Sequence, residues 1–145
     1  MAVRVQEADF DIGREIAAMS AGRTDIGAVV SFTGLVRGGE IVELTLEHYP
    51  GMTEKALAAI EAEARARWPL QEALVIHRHG RLRPGERIVL VLTASAHREA
   101  AFAAAEFLMD YLKTRAPFWK KELTAEGARW VDAREADEAA EARWA

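Results

Sequence analysis

The chain has 145 residues, which suits one domain with a substantial buried core. Half of the residues are hydrophobic and 29% are charged, a globular composition that excludes a disordered chain. The net charge of −4 argues against a broad nucleic-acid binder. The absence of cysteine excludes a disulfide framework, a thiolate zinc site and a cysteine nucleophile.

Taken in chain order, the opening MAVRVQEADFDIG carries acids and lacks an apolar core, so it does not read as a signal peptide. Residues 9–19 predict a short helix with Ile12, Ile16 and Met19 on one face. GAVVSFTGLV, 27–36, reads as a strand, Gly38-Gly39 as a turn, and IVELTLEHY, 41–49, as a half-buried strand with alternating Val42, Leu44 and Leu46. The two strands are expected to form a hairpin. Pro50-Gly51 breaks the second, and 53–68 predicts a helix with Leu57, Ile60, Ala64 and Trp68 on one face, ended by Pro69. EALVIHRH, 72–79, reads as a strand and GRLRPGE, 80–86, as a turn.

The segment 87–95 alternates too little for an edge strand and is expected to be buried on both faces. Its neighbourhood holds the longest apolar run, IVLVLTASA at 88–96, far short of a membrane span. A soluble, cytoplasmic protein is expected. Residues 97–115 give the strongest helix, with Ala101, Phe102, Ala105, Leu108, Met109 and Leu112 as its apolar face and Pro117 as its stop. The acidic, alanine-rich tail from Ala133 reads as a terminal helix ending near Trp144. The whole reads as a single α+β domain, 1–145, with helices packed on one face of a sheet.

Three segments carry candidate chemistry. In TASAHREAAF, 93–102, His97 and Arg98 stand where a helix begins, and free backbone N–H groups there favour an anion. Ser95 as a plain helix cap, with the two basic residues in water, is the alternative. In YLKTRAPFWKKE, 111–122, Lys113, Arg115, Lys120 and Lys121 crowd around Phe118 and Trp119. A lysine beside aromatic walls and other cations can serve as base or nucleophile. Cations also suit the last turn of a helix, and the aromatics suit a core. In SFTGLVRGG, 31–39, Arg37 ends a strand before two glycines that allow close ligand approach or simply make a turn.

His77 and His79, two apart on a strand, supply two potential metal ligands and no third, so no metal site is expected. Glu47-His48-Tyr49 fits acid–base work or a strand end equally. The basic features also fit an α+β module for a nucleotide or RNA. The sequence pI of about 5.6 counts against it. A structural subunit that docks an acidic partner is a further reading.

Several long blocks together are more specific. GAVVSFTGLVR, LEHYPGMTEKAL, RWPL, IHRHGRLRPGE, SAHREAAF and FLMDYLKTRAPFWKKE, in this order, resemble the large, catalytic subunit family of molybdopterin synthase. The resemblance implies an α/β-hammerhead sheet with helices and a small additional β-rich part. It implies a sulfurtransferase that installs the two dithiolene sulfurs on cyclic pyranopterin monophosphate. Sulfur arrives as a thiocarboxylate on the C-terminal Gly-Gly of a small ubiquitin-like subunit, in a heterotetramer built on a homodimer of large subunits. No permanently bound cofactor, nucleic acid or membrane is implied.

Residue by residue, the resemblance implies Lys113 and Lys120 as catalytic. Leu35, Val36, Arg37, His97, Arg98, Lys121 and Glu122 are implied to bind substrate beside them. Phe32, Met109 and Arg134 are implied to line the pocket, with Arg134 crossing the dimer interface. Lys113 would meet the tail's carbonyl, and Lys120 would stabilise negative charge or protonate a leaving oxygen. The segment after Arg37, GGEIVE, is shorter than the family's usual loop.

Overall fold

The computed structural model describes residues 2–131 and 135–145. Its elements are β1 (Ala2–Gln6), α1 (Ile12–Ser20), β2 (Ala28–Leu35), β3 (Ile41–His48), α2 (Met52–Arg67) and β4 (Leu70–Arg78). They continue with β5 (Gly80–Leu82), β6 (Arg87–Ser95), α3 (Arg98–Arg115), β7 (Phe118–Thr124), β8 (Gly127–Val131) and α4 (Glu135–Ala142). The strands form two four-stranded sheets, ordered β1-β4-β6-β2 and β5-β3-β7-β8. The α+β class holds, and the second sheet is the additional β-rich part.

The first sheet has β6 at its centre, antiparallel to both β4 and β2, while β1 runs parallel to β4 at one edge. Leu90, Val91 and Leu92 are fully buried, because both faces of this strand are covered. Val75, Val89 and Val91 pack against Leu57, Ile60 and Ala64 of α2 and Ala105, Leu108 and Leu112 of α3. The alternate residues Leu74, Ile76, Leu90 and Leu92 pack against Phe10, Ile12, Ile16 and Met19. The two long helices therefore share one face, and short α1 covers the other. Asp11 caps α1 by accepting from Arg14 N at 3.0 Å.

Two sequence expectations change here. The stretches 27–36 and 41–49 do not form a hairpin. β2 pairs with β6 in the first sheet and β3 pairs with β7 in the second. The chain crosses between sheets at Val36, whose N–H donates to the Glu86 carbonyl (2.9 Å) and whose carbonyl accepts from Gly85 N (2.8 Å). Val36 is buried with Leu44, Leu46 and Leu82 in the small core of the second sheet. On α3, Phe102 does not belong to the apolar face: it is 60% exposed, while Phe107 and Tyr111 are buried. The inward stripe runs through Ala101, Ala104, Ala105, Leu108, Tyr111 and Leu112.

The last helix lies against α3. Trp144 sits edge-on to Trp68 and Phe107 and donates Nε1–H to Asp110 Oδ2 at 2.6 Å. Arg143 bridges Glu106 and Asp110 at 2.7 and 2.9 Å. Thr114 donates to Glu141.

Glu61 of α2 is fully buried, and neither carboxyl oxygen has a hydrogen-bond partner among the described residues. Burial pushes its carboxyl up to about 7, against the pull of Arg65. The folded chain thus keeps a proton that the unfolded chain releases above 4.5, so this group's contribution to stability falls as pH rises from 4.5 to about 7. Glu61→Gln removes that dependence. Urea unfolding is expected to show the variant more stable than the parent by up to about 3 kcal/mol near pH 8, with little difference near pH 4. An equal difference at both pH values would contradict the assignment.

Candidate functional site

A cavity of about 300 Å³ opens where the two sheets and the end of α3 meet. β2 supplies Phe32, Gly34 and Leu35, followed by Val36 and Arg37. α3 supplies Met109, Leu112 and Lys113, and β7 supplies Phe118, Lys120 and Glu122. His77, Ile88, Val89 and Leu44 close the interior, and Asp137 of α4 stands at the remaining side.

Local backbone features aim these groups. A register shift at Gly34/Leu35 turns the end of β2 out of the first sheet and toward the cavity. A Cβ on Gly34 would lie 2.8 Å from Val89 Cγ1, so the close approach at the bulge suits glycine. Pro117 ends α3 and the chain reverses into β7 without a loop of its own. The alternation of β7 then decides which cations face inward. Phe118, Lys120 and Glu122 are half-buried, and Trp119, Lys121 and Leu123 are exposed on the other face.

The structure therefore brings together Phe32, Leu35, Val36, Arg37, Met109, Lys113, Lys120 and Glu122. It does not bring Lys121 to them. Lys121 stands on the outer face, opposite Trp130 in the strand ladder, with its ammonium 5.7 Å from that ring. It also keeps His97 and Arg98 away. They are exposed at the start of α3, with Arg98 fifteen residues from Lys113, about 22 Å along the axis. Ser95 does not cap this helix; its hydroxyl donates to the Pro69 carbonyl at 2.9 Å, and His97 is the capping residue without a side-chain hydrogen bond. Arg134 lies outside the described residues. Arg115 is structural: its guanidinium covers the Tyr111 ring at 3.8 Å and reaches Glu63 and Glu141.

The cavity also holds a residue that no sequence signal had tied to the lysines. His77 is buried, stacked on Phe118 with ring centres 3.7 Å apart, and its Nδ1 lies 2.8 Å from the Arg78 carbonyl. A carbonyl only accepts, so Nδ1 carries the hydrogen. Burial pushes the imidazole down to about 3, and Lys113, Lys120 and His48 push the same way. Instead of the His77–His79 pair considered from sequence, His79 turns to His48, with ring centres 4.4 Å apart. Among the described residues no group of three or more His, Asp or Glu side chains could hold a metal ion.

A cavity lined by exposed Arg37 and Lys113, half-buried Lys120, aromatic rings and a neutral imidazole suits an anionic substrate and charge that develops during reaction. Fold and site define a mixed α/β protein with a cation-lined cavity and no cysteine to act as a nucleophile. The family model described as MoaE protein matches residues 5–115. The molybdopterin synthase catalytic subunit of Ralstonia nicotianae is 66% identical over 146 residues, covering 98% of this chain and 83% of the relative. The solved MoaE protein of Burkholderia ambifaria superposes with a TM-score of 0.86 at 56% identity, covering 99% of this chain and 98% of that one. The complex of subunits 1 and 2 of the molybdopterin-converting factor from Helicobacter pylori shares the fold, with a TM-score of 0.76, 20% identity and 91% of each chain covered. The chain belongs to the MoaE family.

The tautomer and charge of His77 can be checked directly. Nitrogen-15 NMR is expected to show Nδ1 protonated and Nε2 bare, with no titration between about pH 5 and about pH 8. A midpoint inside that range would overturn the assignment.

Proposed function

We propose that this chain is the catalytic subunit of a molybdopterin synthase. It moves sulfur from the C-terminal thiocarboxylate of a small ubiquitin-like subunit to cyclic pyranopterin monophosphate. The observation that carries the reading is the convergence of Lys113 and Lys120, from a helix end and a strand, on one cavity. Membership of the family supports it. So does the lack of cysteine, since the sulfur must then be carried in.

The tail's thiocarboxylate and the substrate's phosphate are both anions, which Arg37 and the two lysines attract. Sulfur bonds to the substrate carbon as a carbon–oxygen bond breaks. Lys120 stabilises the departing oxygen or protonates it. Water then cleaves the acyl–sulfur bond at a carbonyl polarised by Lys113, and the tail leaves as a carboxylate. No permanently bound cofactor takes part in this reading. Phe118, Phe32 and Glu122 line the cavity beside the cations.

His97 and Arg98 cannot reach the same substrate as Lys113 within one chain, given about 22 Å of helix between them. If they bind its phosphate, they come from a second copy. This fits a homodimer at the centre of a cytoplasmic heterotetramer with a small subunit at each end. Among the described residues no helix is long and apolar enough to cross a membrane.

Purified chain alone is expected to be inactive, with activity appearing on addition of the thiocarboxylated partner. Lys113→Ala should lower single-turnover product formation by on the order of 10²–10⁴-fold with an unchanged melting temperature. Lys121→Ala should stay within about threefold of the parent, because its charge is outside the cavity. Full activity in Lys113→Ala would sink the reading. Mixed dimers test the shared site: one His97→Ala protomer paired with one Lys113→Ala protomer regenerates one intact site and about half the activity. No recovery in such mixtures would place His97 outside it.

A further inference from the structure

His77 lies in the cavity wall, and the sulfur-transfer steps above do not use it. Its ring is fixed from two directions: Nδ1–H on the Arg78 carbonyl, and one face on Phe118. That leaves Nε2 as a bare acceptor with no donor from the protein among the described residues. Lys113 lines the same cavity, and its ammonium has no hydrogen bond or ion pair among the described residues. A solvent-exposed cation and a fixed, unused acceptor thus line one cavity.

We propose that His77 is a positioning residue for Lys113: its Nε2 accepts one hydrogen bond from the ammonium and draws the head group inward. Two N–H donors then remain for the incoming tail and substrate. The inference rests on the reading of Lys113 as the lysine at the reacting centre. A neutral imidazole suits the task better than the carboxylates of Glu122 and Asp137, which also line the cavity. A carboxylate would cancel the charge that an anionic substrate needs. The imidazole steers the lysine and leaves its charge in place. The groups facing the ring, Lys113 of α3, Lys120 of β7 and His48 of β3, all oppose its protonation, so it stays an acceptor.

The test uses the assembled synthase with thiocarboxylated partner and saturating pyranopterin substrate. His77→Leu fills the space without an acceptor, and His77→Gln restores one. His77→Leu is expected to lower the single-turnover rate constant by on the order of tenfold or more, with KM and partner affinity unchanged. His77→Gln should recover most of the loss. A normal rate in His77→Leu, with Lys113→Ala inactive, would overturn the proposal. So would equal loss in the Leu and Gln variants, which would mark a packing role. Full activity in Lys113→Ala would instead remove the reading beneath it. If His77→Leu does not fold, the parent answers the same question. The Nε2 nitrogen-15 resonance in the complex with the partner should lie upfield of its position in Lys113→Ala, and identical positions would overturn the proposal.

Discussion

The site depends on the hydrogen-bond ladder between β3 and β7. That ladder ties the end of α3 to the second sheet and encloses the space between them. It sets Leu46 opposite Lys120, Leu44 opposite Glu122 and His48 opposite Phe118. Side chains on a strand alternate, so a slip of one residue would turn Trp119, Lys121 and Leu123 into the cavity and send Lys120 to solvent. Buried Leu44 and Leu46, packed on Val36 and Leu82, hold the register. A small hydrophobic cluster therefore selects which of two adjacent lysines lines the cavity.

Electrostatics alone would not gather Arg37, Lys113 and Lys120, because like charges in a confined space repel. The fold gathers them with contacts made elsewhere. Tyr111 and Leu112 anchor the last turns of α3 in the main core. The crossover at Val36 delivers Arg37, and the ladder delivers Lys120. The neutral His77 limits the accumulated charge at the cavity wall. The anionic substrate of the proposed function would relieve that repulsion, so the packing itself favours an anion there.

The parts of the fold legible in the sequence were those whose hydrophobic pattern matches their burial. α2, α3 and the doubly buried β6 are of this kind. β7 was not legible because its pattern is inverted: the inward positions Lys120 and Glu122 are polar since they face a cavity, and the outward Trp119 and Leu123 are apolar. Periodicity reads such a segment as a loop. β1 escaped because it is a five-residue edge strand whose partner, β4, lies about seventy residues away. The hairpin failed because its short connection is spent crossing between sheets, a tertiary choice that turn chemistry cannot reveal. Within the site, Lys113, Lys120 and Arg37 were marked by residue type and family resemblance. The exclusion of Lys121 required the strand register, and His77 required the stack on Phe118.

The helix α3 also acts as a ruler. Its 18 residues put His97 and Arg98 at one end and Lys113 at the other, and nothing flexible lies between them. Alanines at 100, 101, 104 and 105 let it lie close on the first sheet, so its length and direction are fixed by the core. Two basic clusters on one rigid rod cannot converge within a chain. They converge only if a second rod runs beside the first in the opposite sense, as a two-fold axis provides. Under the proposed function, in which both clusters serve one substrate, that geometry is a reason for a dimer.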